Sequence, residues 1–65
     1  MILKPVNLVY LGDLYRFYVD LSCAPNIELA YTEKYEMGST HSDRVDWSDV
    51  PLVLKEMLIE KISAL

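Results

Sequence analysis

Residues Ile27 to Met37 read Ile-Glu-Leu-Ala-Tyr-Thr-Glu-Lys-Tyr-Glu-Met. Alternate positions give Ile27, Leu29, Tyr31, Glu33, Tyr35 and Met37, and the positions between are Glu28, Ala30, Thr32, Lys34 and Glu36. Period-two alternation of this length is the signature of a strand with one face covered. A helix would keep Ile27, Tyr31 and Tyr35 on one side but leave Leu29 and Met37 off it, so the strand is the better reading.

Upstream, two apolar-rich runs, 5–11 and 14–21, flank Gly12-Asp13. Glycine at the first position of a two-residue loop suits a type II′ hairpin, because it accepts positive φ without steric cost. A fold there pairs Leu11 with Leu14, Tyr10 with Tyr15, Leu8 with Phe17 and Val6 with Val19. One face then carries Val6, Leu8, Tyr10, Tyr15, Phe17, Val19 and Leu21, all apolar or aromatic. The other carries Asn7, Val9, Leu11, Leu14, Arg16, Tyr18 and Asp20. The loop Ser22-Cys23-Ala24-Pro25-Asn26 supplies turn chemistry for a second hairpin into a strand over 27–37. That hairpin sets Val19 against Leu29, Phe17 against Tyr31 and Tyr15 against Glu33, so the apolar face runs on in one register. Its cost is Asp20 facing Glu28, where like charges mildly repel.

Downstream, residues 38–49 are polar and read as a loop near the upper length limit for an ordinary connection. A helix follows over about 50–65, with Ser48 or Asp49 as N-cap and Pro51 in the first turn. Trp47 and Leu52 are spaced to staple its start. At 100° per residue Leu54, Leu58, Ile62 and Leu65 form a stripe that would cover the sheet. Val53, Met57 and Ala64 lie on one flank, Leu52 and Ile59 on the other, and only Glu56, Glu60 and Ser63 make a polar strip. The expected fold is therefore α+β, a single domain over 1–65: a three-stranded antiparallel meander with one C-terminal helix on one face (β-β-β-α).

A chain of 65 residues buries only about 60% of its unfolded surface, so it is marginally stable unless something reinforces it. One cysteine, Cys23, allows no internal disulfide, and one histidine, His41, makes a structural metal site a poor prospect. Association remains. The lone cysteine, and a start (Met1-Ile2-Leu3-Lys4-Pro5) unlike a signal peptide, lead to the expectation of a cytoplasmic protein. The longest uncharged stretch, 5–12, falls well short of the ~20 residues of a membrane span, so no membrane partner is expected.

The net charge of −4 arises entirely beyond residue 25. There Glu28, Glu33, Glu36, Asp43, Asp46, Asp49, Glu56 and Glu60 outnumber Lys34, Arg44, Lys55 and Lys61. Such a field repels phosphate backbones, so no direct nucleic-acid binding is expected. Stacking on bases would need aromatics along a cationic groove, and Tyr15 and Phe17 are placed in the core instead.

Ser39, His41, Ser42 and Asp43 share one loop and do not assemble a hydrolytic triad, which the fold must bring together from separate places. Asp43, Asp46 and Asp49 recur every third residue, whereas calcium loops alternate acids and end in a bidentate Glu. Cys23 has no cationic neighbour to favour its thiolate and reads as a small, partly buried turn residue. No catalytic, cofactor or metal residues are assigned, and no cofactor is expected.

The residues instead point to a non-enzymatic protein-interaction module that self-associates, most simply as a homodimer. The expected contact residues are Val9, Leu11, Leu14 and Tyr18 on the uncovered sheet face and Leu52, Val53, Met57 and Ile59 on the helix flanks. The alternative is a small acidic inhibitor or anti-defence regulator, of the kind a phage encodes, that docks on a host protein with its carboxylates (Glu28, Glu33, Glu36, Asp43, Asp46, Asp49) set where nucleic-acid phosphates would lie. Glu33, if it faces Tyr15 in the core, would be a buried acid.

Overall fold

A computed structural model describes residues 2–23 and 25–64. Strand β1 (Leu3–Tyr10), β2 (Asp13–Asp20), β3 (Glu28–Tyr35) and β4 (Ser42–Val45) form one antiparallel sheet in sequence order, followed by helix α1 (Leu52–Ser63). The α+β expectation holds, with four strands in place of three: the polar loop expected over 38–49 contains β4. Four residues, two of them charged, carry too little alternation to announce a strand. They pair with β3 as an edge, where short length and charge are common.

The first hairpin turns at Leu11-Gly12, not Gly12-Asp13. Both have positive φ, +51° and +85°, the mark of a type I′ turn. Val6 therefore faces Phe17 and Leu8 faces Tyr15, two residues out from the expected pairs. A slip of two preserves which side chains share a face, so the apolar face is as expected although its partners are not.

The second hairpin begins in the expected register, Val19 opposite Leu29 and Asp20 opposite Glu28, and then slips. Tyr18 faces Tyr31, leaving Ala30 as the extra residue of a bulge. Beyond it every β3 side chain changes sides. Thr32, not Tyr31, lies opposite Phe17, and Lys34, not Glu33, lies opposite Tyr15. Glu33 is consequently not in the core. Met37 falls beyond the strand, exposed, with its methyl over Gly12.

The core comprises Val6, Leu8, Tyr15, Phe17 and Val19 from the sheet and Val50, Leu54 and Leu58 from above it. Phe17 and Leu54 are fully buried, and such side chains each contribute about 2 kcal/mol of transfer free energy. Ile62 continues the helical stripe, half-buried; Leu65, expected to end it, lies outside the described residues.

The helix begins later than expected. Ser48 and Asp49 belong to a 3₁₀ turn (Trp47–Asp49), the N-cap position is Pro51, and no side chain caps it. The expected staple does not form. Trp47 packs edge-on against Phe17 at 6.5 Å between centroids, with the Lys55 amine over its ring, while Leu52 stays exposed.

Candidate interaction surfaces

Antiparallel pairing places side chains from all four strands in rows across the sheet face that α1 does not cover. One row is Asn7–Arg16–Glu33–Arg44; beside it runs Val9–Leu14–Tyr35–Ser42, and on its other side Tyr18–Tyr31. The rows interlock. Arg16 Nε donates to Asn7 Oδ1 at 2.9 Å, and its guanidinium lies 5.2 Å from the centre of the Tyr35 ring. Arg44 lies 4.2 Å from the Tyr31 ring, which stacks on Tyr18 at 4.5 Å. Glu33 accepts from the Ser42 hydroxyl at 2.8 Å. Interaction with the Tyr18 side chain raises the Arg16 pKa from its ordinary value, against a smaller lowering by desolvation, and Tyr35 and Glu33 add to the rise.

Both arginines and three of the five tyrosines thus meet on one face of an acidic chain. The expected cluster of Val9, Leu14 and Tyr18 is there, with Leu11 at the adjoining turn. Lys34 is not part of it: the bulge turns this residue to the other face, where it pairs with Asp13 at 3.5 Å. Tyr31, Tyr35 and Arg44 were missed because strict alternation assigned Tyr31 and Tyr35 to the core. Ala30, the bulged residue, carries no signal in the sequence that sets it apart from a paired one.

The second surface is α1 itself. With Leu54 and Leu58 facing the sheet, Leu52 remains 69% exposed, Ile59 61%, Val53 51% and Met57 38%. These four do not form one patch: Leu52 with Ile59 and Val53 with Met57 are separated by the strip of Glu56, Glu60 and Ser63. The latter flank borders β1, where Leu8, Met57, Glu60, Lys61 and Ala64 line an open groove of about 340 Å³. Helix and sheet face are on opposite sides of the molecule, so the eight expected contact residues fall on separate surfaces.

Five of the six acids singled out, Glu28, Glu36, Asp43, Asp46 and Asp49, are exposed, while Glu33 is drawn between the arginines. Among the described residues no three His, Cys, Asp or Glu side chains converge as metal ligands. His41 is an exposed loop residue whose amide is held by the Ser39 hydroxyl. Cys23 is exposed, where partial burial was expected. Among the described residues no helix is long and apolar enough to cross a membrane. No family model matches the sequence, and no curated protein or solved structure matches the chain.

Proposed function

We propose that this chain is a non-catalytic protein-interaction module that self-associates as a homodimer. The observation that carries the reading is the exposure of Leu52, Val53, Met57 and Ile59 on a helix whose sheet covers only the Leu54–Leu58 stripe. Water contact with four large apolar side chains on twelve helical residues is costly, and association over one flank removes the part of it that this flank carries. Light scattering on the isolated chain at micromolar concentration is expected to return the mass of two chains. A one-chain mass overturns the reading.

Docking on a different protein is a second reading, supported by the open sheet face. Tyr and Arg are the residue types that most often carry binding energy, and here they are pre-stacked. In this reading Arg44→Ala abolishes capture of that protein without altering the mass of the free chain. In its inhibitor form, with exposed carboxylates standing in for phosphates, capture weakens steeply with salt.

A further inference from the structure

The groove between β1 and α1 has the make-up of a two-fold contact. Strand β1 is an edge strand. The Leu21 amide donates to the Ile2 carbonyl at 2.8 Å, and one residue on, Leu3 faces Asp20. Hydrogen-bonded and open pairs alternate along an antiparallel ladder, so Lys4, Val6, Leu8 and Tyr10 bond inward to β2. The backbone groups of Leu3, Pro5, Asn7 and Val9 then point outward. Pro5 has no amide to offer, which leaves the half around Asn7 and Val9 as the part able to pair.

Leu8 lies in that half and lines the groove. Above it the helix presents Met57 and Ala64 as apolar lining and Glu60 and Lys61 as charged rim. Neither charge makes an ion pair among the described residues.

We infer that a second copy of this chain occupies this groove, β1 against β1 near Leu8 and α1 against α1, making one eight-stranded sheet. The inference rests on the self-association reading and names its surface. An antiparallel helix pair about a two-fold axis matches positions of constant sum. Setting Glu60 opposite the second copy's Lys61 also sets Met57 opposite its Ala64, a large residue against a small one. Charge and shape are satisfied together by one register, twice over. The groove is neutral in an otherwise acidic molecule, so two copies meet without the repulsion their net charge would impose elsewhere.

Charge reversal tests this without touching the core, since Glu60 and Lys61 are both exposed. Glu60→Lys sets lysines against lysines across the axis, and Lys61→Glu sets glutamates against glutamates. Each variant alone is expected to weaken the dimer by about tenfold or more. Mixing the two restores a dimer of one copy of each, because every facing pair is then opposite in sign. Val9→Pro, which removes an outward amide and leaves the β2 ladder intact, is expected to weaken the dimer likewise. If the unaltered chain is a dimer and the reversals leave it one, the surface is wrong and the module reading survives. An unaltered chain that stays single removes both.

Discussion

Leu11 breaks two local rules at once. It is a branched residue at φ +51°, and it is 83% exposed at the hairpin tip. The left-handed region costs a residue with a Cβ roughly 1–2 kcal/mol, less for asparagine. Leu11→Asn is therefore expected to stabilise the fold by about 1 kcal/mol in urea unfolding; a loss of stability would show that the turn is not type I′. Thr32 is the mirror case inside. The Ala30 bulge carries it into the core, 1% exposed, and its hydroxyl has no partner among the described residues. An unpaired buried hydroxyl costs about 1–3 kcal/mol, so Thr32→Val, with the same shape and no donor, is expected to raise the urea midpoint. At the end of β2 the Ser22 hydroxyl, and then its amide, donate to Asp20 and hold its carboxyl below the ordinary carboxylate range. This contribution is present above the unfolded carboxylate range and disappears as pH falls through the lowered Asp20 value. Ser22→Ala is expected to move the Asp20 midpoint upward in an NMR titration; an unmoved midpoint would mean that the bonds do not persist in solution.

At the scale of elements, the two hairpins show what alternation can and cannot carry. The apolar face of β1 and β2 was legible because Val6, Leu8, Tyr15, Phe17 and Val19 keep their side of the sheet under any slip of two. The face of β3 was legible only to Leu29. One extra residue, Ala30, inverts everything after it, and no composition signal distinguishes a bulged alanine from a paired one. The open-face site depends on that inversion, which is why the sequence exposed Tyr18 but hid Tyr31, Tyr35 and Arg44. A double-mutant cycle on Tyr18→Ala and Tyr31→Ala reads the inversion directly. Stacked rings 4.5 Å apart are expected to couple by about 0.5–1.5 kcal/mol in stability. Additive effects would return Tyr31 to the other face. The helix was legible for a different reason: its stripe repeats at three and four residues and needs no partner strand to be recognised, as Leu54 and Leu58 show. Its start was not, because cap-forming Ser48 and Asp49 were taken up by a 3₁₀ turn that seats Trp47 on Phe17.

For the whole molecule, a single helix lies chiefly along β1, and the sheet it covers is too narrow for the apolar surface it brings. An eight-residue edge, a neutral groove and two opposite charges that form no ion pair among the described residues lie together along that seam. A chain this short gains more from association than a larger one, since its own core leaves so much surface wet. Sedimentation equilibrium across a dilution series tests this most directly. The weight-average mass is expected to equal two chains at high concentration and to fall towards one as the sample is diluted. A mass of one chain at every concentration would contradict it, and would mean that the exposed flanks of α1 are tolerated by a solitary fold.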